Sequence, residues 1–154
     1  MKISDHLSLA EVIRSETAKR SGVSNMPTEQ HLKNFKALAN NIFEKIRLHF
    51  GVPIYVSSGY RSKELNAIIK GASSTSQHCK GQAIDIDMDG SLGGVTNKMV
   101  FDFIKDNLVW DQMIWEHGTD DNPDWVHVSY VLGHNRKNLL RAYREGNKTE
   151  YTLF

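Results

Sequence analysis

The 154-residue chain contains a single cysteine, Cys79. No disulfide can form within it, and a metal site built from cysteines alone is excluded. It also lacks a charge of one sign: 19 Lys and Arg against 18 Asp and Glu leave a formal charge of +1. A broadly basic nucleic-acid binder carries more than that. There is no apolar run of the roughly 18 residues that a membrane-spanning helix requires. The opening segment, MKISDHLSLAEV, has no apolar stretch resembling a secretory signal. Cytoplasmic synthesis is therefore expected, without membrane insertion. Internal repeats, low-complexity tracts and a domain linker are absent too, so one domain covering residues 1–154 is expected.

What is present is ordinary globular material. Hydrophobic residues make up 40% and charged residues 24%, with six Phe, five Tyr and three Trp. A chain of this size buries about two-thirds of its extended surface and needs no covalent staples. Ser8-Leu-Ala-Glu11 reads as a capping box opening a helix to about Arg20. Ser21 to Pro27 reads as a connection. A longer helix is predicted from Thr28, with Leu32, Phe35, Ala39, Ile42 and Ile46 at helical spacing and Gly51 as its stop. Short strands are expected over Val52–Ser57, Gln82–Asp87, Asp111–Glu116 and Trp125–Val131, and helices after Ser62 and from Thr96 to about Asn107. The tail from Asn138 fits a hairpin turning at Glu145-Gly-Asn-Lys148. A helix over Lys137–Arg144 fits as well. Helices first and strands later imply an α+β fold.

Three stretches carry chemistry: Ser57-Ser-Gly-Tyr-Arg-Ser62, Ser76-Gln-His-Cys-Lys-Gly-Gln-Ala-Ile-Asp85, and Trp125-Val-His-Val-Ser129. His78 ends a loop, and Gly81 lets the chain turn back into the strand holding Asp85. His127 points away from its neighbours Val126 and Val128, because side chains alternate along a strand. Two imidazoles and a carboxylate suit a catalytic zinc site with an open fourth position. Taken alone, a strand histidine is more often a hydrogen-bonded core residue than a ligand. On spacing alone Asp87 serves as well as Asp85. The other histidines, His6, His31, His49, His117 and His134, read as surface or helix-face residues, and the basic stretch Arg136–Arg144 as a solvated tail.

Taken in order, SGYRS, SQHCKGQAIDID, DQMIWE and WVHVS resemble the M15 peptidases, which are zinc D-Ala-D-Ala carboxypeptidases and phage or bacterial murein endopeptidases. The resemblance runs from about Leu7 to Tyr130. It implies a hedgehog-like fold, a small antiparallel sheet with the N-terminal helices on one side. It also implies zinc held by His78, Asp85 and His127, with Arg61 facing the substrate and Ser76 near it. For the general base it points to Glu116. Asp124 is the rival, because some murein endopeptidases place an acidic residue three positions before the last histidine. The implied function is hydrolysis of peptide bonds in peptidoglycan stem peptides by a monomer, with wall access after holin- or virion-type release. The alternative is a zinc-stabilised, hedgehog-like binding domain without peptidase activity.

Overall fold

The computed structural model describes residues 1–154. Its N-terminal half is helical: α1 (Leu9–Ile13), α2 (Glu16–Ser21), α3 (Glu29–Leu38) and α4 (Glu44–Phe50). The helix expected over residues 8–20 is in fact two. Arg14 is extended and sends its guanidinium to the carbonyl of Val56, while Ser15 caps α2 by accepting from the Ala18 amide. Helices α3 and α4 form the expected long helix from Thr28 to Gly51. A π-helical turn over Ala39–Phe43 interrupts it, a local widening that sequence periodicity does not reveal.

Six strands follow: β1 (Val56–Ser58), β2 (Ala83–Ile86), β3 (Gln112–Glu116), β4 (Trp125–Ser129), β5 (Asn138–Glu145) and β6 (Lys148–Leu153). Helix α5 (Lys63–Ile68) lies between β1 and β2, and α6 (Asn97–Asn107) between β2 and β3. The strands make one sheet in the order β1-β2-β4-β3-β5-β6. The expected antiparallel sheet is corrected to a mixed one, because β5 runs parallel to β3. Strand β4 ends beside the start of β3, and residues 130–137 cross over that end, which sets β5 in the same direction as β3. Asp111 pins the crossing. Its amide donates to Ser129, its carbonyl accepts from Asn138, and its carboxylate takes a forked pair from Arg136, the shorter arm at 2.7 Å. The tail is thus a hairpin and not a helix.

Alternation divides the sheet into two faces. Ile84, Ile86, Met113, Trp115, Val126 and Val128 turn to one side and meet Phe35, Leu38, Ile42, Phe43 and Ile46 of the long helix and Val100, Phe101 and Ile104 of α6 in one core. Fully burying a side chain of this kind contributes about 1.5–3 kcal/mol. The opposite face carries Asp85, Ile114, Glu116, Trp125 and His127, which line a cleft of about 1080 Å³.

Candidate metal centre

His78 stands in a 3-10 turn over Gln77–Lys80, capped by the Ser76 hydroxyl, which accepts from the His78 amide at 3.3 Å. Gly81 ends the turn at φ 68°, and a Cβ there would come within 2.4 Å of the His31 carbonyl oxygen. Only glycine meets both conditions. The His78 ring is 2% exposed, and its Nδ1 lies 2.6 Å from the Gly59 carbonyl. A carbonyl only accepts, so Nδ1 carries the proton and Nε2 presents its lone pair.

That lone pair meets two other donors. Asp85 and His127 lie directly opposite each other on β2 and β4. His127 Nδ1 is 2.9 Å from Asp85 Oδ1, and His78 Nε2 is 3.3 Å from each of these atoms. The cluster is the one place where His, Cys, Asp or Glu ligand atoms of at least three residues converge within 4.8 Å. Burial pushes the His78 pKa down, so the ring is held neutral. Burial also works to raise the Asp85 pKa, but the two imidazoles outweigh it and hold the carboxyl well below its usual range. The His78 lone pair and an ionised oxygen thus face one point, and His127 Nδ1 has at most one proton to offer the two of them. A divalent cation resolves this conflict, and an N₂O donor set with one side open suits zinc. Asp87 is excluded geometrically. It lies past the end of β2, and its carboxylate accepts from the Asn97 side chain and the Asp89 amide. Cys79 is half-buried and outside the cluster, and burial pushes its thiol pKa up.

The SGYRS segment is braced from two sides. Gly59 lies so close to α1 that a Cβ would be 2.4 Å from the Val12 carbonyl oxygen, which also accepts from the Tyr60 amide at 2.6 Å. Asn25, hidden in the connection after α2, donates to the carbonyls of Ile13 and Tyr60 and accepts from the Ser62 amide. Nothing in the sequence marked Asn25 for this role. Arg61 lines the cleft between these clamps. Its Nη1 is 3.4 Å from Asn66 Oδ1, and its Nε is buried without a partner.

Glu116 ends β3 opposite Trp125, one same-face step from the pair Ile114 and His127. It is 8% exposed. Burial pushes its pKa up to about 7, with His127 opposing and the Asp85 charge reinforcing the shift. Asp124 is exposed and does not line the cleft. It lies in the bend that precedes β4. What it gives the site is its amide, which donates to the Glu116 carbonyl at 2.9 Å. His134 is exposed, as expected, and His117 is half-buried beside Glu116; both line the cleft. His117 holds φ at 55° with its Nδ1 buried and unpartnered.

The model of the family Peptidase M15 matches residues 5–129. The chain belongs to the M15 peptidase family. The matched span runs from before α1 to the last residue of β4 and takes in His78, Asp85, His127, Arg61, Glu116 and Asp124. Strands β5 and β6 lie beyond it. No curated protein matches the chain. No helix is long and apolar enough to cross a membrane.

Proposed function

We propose that this M15 peptidase is a zinc enzyme that hydrolyses peptide bonds in peptidoglycan stem peptides. The carrying observation is the convergence of His78 Nε2, Asp85 Oδ1 and His127 Nδ1 at the floor of an open cleft, with a buried carboxyl group beside them. A zinc ion bound there would supply Lewis acidity, easing deprotonation of water and polarising the scissile carbonyl. Glu116 takes a proton from the attacking water as its oxygen adds to the carbonyl carbon. It returns that proton to the amine as the carbon–nitrogen bond breaks. A pKa raised by burial suits a group that must both take and give a proton near neutrality. Arg61 offers a planar fork to a substrate carboxylate or carbonyl oxygen. His78, Asp85 and His127 serve as metal ligands, the His78 ring kept neutral by burial and the Asp85 carboxyl kept ionised by the imidazoles beside it.

A metal-stabilised domain without peptidase activity would have no use for a buried carboxyl beside the open cleft. The test is digestion of purified murein by the zinc-loaded protein, followed by mass spectrometry. New stem-peptide termini that disappear with Glu116→Gln support the proposal. Murein left intact by a protein holding about one zinc per chain sinks it.

A further inference from the structure

Three strands of the metal face belong to the matched part of the chain, but the sheet does not stop there. The hairpin of β5 and β6 extends it past Glu116, and Leu140, Thr149 and Tyr151 of that hairpin line the cleft. Strand pairing fixes which residues share a row. Trp125 lies opposite Glu116, Glu116 opposite Ala142, and Ala142 opposite Tyr151. These four residues stand side by side on the metal face of β4, β3, β5 and β6. With strands about 4.8 Å apart, the Tyr151 backbone is two spacings from that of Glu116. The residue between them is Ala142, which is small and fully buried, so larger neighbours close over it. The Tyr151 phenol accordingly feels the site: burial raises its pKa, and the charges of Glu116 and Asp85 raise it further, so it remains a hydrogen-bond donor at neutral pH.

The hairpin does not need Tyr151 to stay in place. Its anchors are on the opposite face or at its end. Phe154 packs with ring centroids 5.1 Å from Phe101 and 5.6 Å from Trp115. Arg141 lies over the Trp115 ring at 5.7 Å and pairs with Asp120 at 2.6 Å. Every residue of β6 is exposed, and Tyr151 keeps 53% of its surface open. An edge strand that buries so little yet turns an aromatic donor toward the reacting carboxyl is better explained by a ligand than by packing.

We propose that Tyr151 is a specificity-determining residue that contacts the peptide substrate on the Glu116 side of the metal centre, donating a hydrogen bond from its phenol to a backbone carbonyl. This rests on the peptidase function proposed above. Arg61 and Tyr151 then grip the peptide from the two ends of the cleft.

The test uses the full zinc-loaded chain and soluble stem peptides released from murein. Tyr151→Phe removes only the hydroxyl. It should raise KM about 3–10-fold, the worth of one neutral hydrogen bond, with kcat within about twofold. Tyr151→Ala should cost more, again chiefly in KM. Zinc content and melting temperature should match the parent protein. In the Glu116→Gln background, where peptide stays intact, calorimetry should show the same 3–10-fold weakening of binding on adding Tyr151→Phe. Tyr143→Ala, on the other face of the same hairpin, is the control and should leave both constants unchanged. Unchanged KM and binding in both Tyr151 variants, with the parent fully active, overturn the Tyr151 assignment while the peptidase function stands. If the parent protein neither cleaves nor binds any stem peptide, the peptidase function fails and the Tyr151 assignment falls with it.

Discussion

The metal cluster and the C-terminal hairpin occupy one face of one sheet, yet they are built in opposite ways. At the cluster the converging atoms are held in place by close neighbours. His78 is tied to Gly59, Asp85 faces His127 across a strand pair, and the rings are buried. At the hairpin Thr149 and Tyr151 of the edge strand are exposed to the cleft, and the anchors sit behind them on Trp115 and Phe101. Bonds are broken where atoms are preorganised against water and charge. Substrates are selected where side chains keep free hydrogen-bonding capacity. On the function and the Tyr151 role proposed above, the difference separates chemistry from selection along the row that joins Glu116 to Tyr151.

The cluster side breaks most completely with His78→Ala. Its loss removes one of three ligands and leaves the Gly59 carbonyl without its donor. Zinc content should drop from about one per chain to near zero, and turnover should vanish. Asp87→Ala should keep its metal. Because the ligands come from a turn and two strands, metal binding is coupled to folding, and verified zinc removal should lower the melting temperature of the parent protein. A melting curve indifferent to zinc would mean that the three elements hold their places unaided.

Glu116→Gln sharpens the comparison one step along the row. It keeps the shape and removes the ability to take a proton. Zinc content should hold, and kcat should fall about 10²–10⁴-fold, the usual range for a general base. Asp124→Asn should stay within a few-fold, since that carboxylate is outside the cleft. The reverse pattern, with Asp124→Asn inert and Glu116→Gln active, would move the base to Asp124 and require the β4 entrance to turn over when substrate binds.

The sequence made the cluster more legible than its surroundings, and the reason is the short range of the signals. A glycine turn followed by an alternating strand puts His78 and Asp85 near each other, and alternation alone sends His127 to the same face. Spacing alone left Asp87 equal to Asp85 and only the family resemblance chose between them; the physical reason, the end of β2 and the hydrogen bond from Asn97, is tertiary. The tail was ambiguous because Lys137–Arg144 satisfies both helix and strand patterns. Pairing with β3 and the packing of Arg141 on Trp115 decide it. His134 reads as a surface residue and is one, and His117 adjoins Glu116 in the chain; that both belong to the cleft wall is visible only in the fold. The Arg136 and Arg141 charges read as a solvated tail, whereas each has an acidic partner, Asp111 and Asp120. Asn25 was invisible because a buried asparagine in a connection has no periodic signature.

Acid–base linkage offers a subtler contrast, read in the zinc-free protein. The Glu116 carboxyl is raised from 4.5 to about 7 in the folded state. Between those values the folded protein holds a proton that the unfolded chain has released, so stability from this group declines as pH rises through the window. A shift of this size corresponds to about 3 kcal/mol. Asp85 has the opposite sign: its lowered pKa contributes stability above the unfolded carboxylate range and loses it in acid. The stability difference between the parent and Glu116→Gln isolates the first effect, because His78 and Asp85 titrate in both. That difference should shift against the parent from about pH 4.5 to 7 and then level off. Parallel melting curves across the window would place Glu116 in water rather than in the buried row.

The smallest effect is expected at Cys79, beside the most sensitive residue in the chain. Its sulfur would make a good zinc ligand if it reached the metal, so it is the sharpest probe of how tightly the cluster is drawn. The 3-10 turn sends His78 inward, and Cys79, the next residue, lies outside the converging donors. Burial raises the thiol pKa, which disfavours the thiolate that would bind metal or attack a carbonyl. Cys79→Ser replaces the sulfur with a small polar group at a half-buried position. Stability should change by no more than about 0.5–1 kcal/mol, with zinc content and kcat/KM at parental values. Metal analysis and murein digestion of the variant decide the matter. A clear loss of zinc would mean that the turn rotates to deliver the thiolate, making the centre a four-ligand structural site with no open position for substrate.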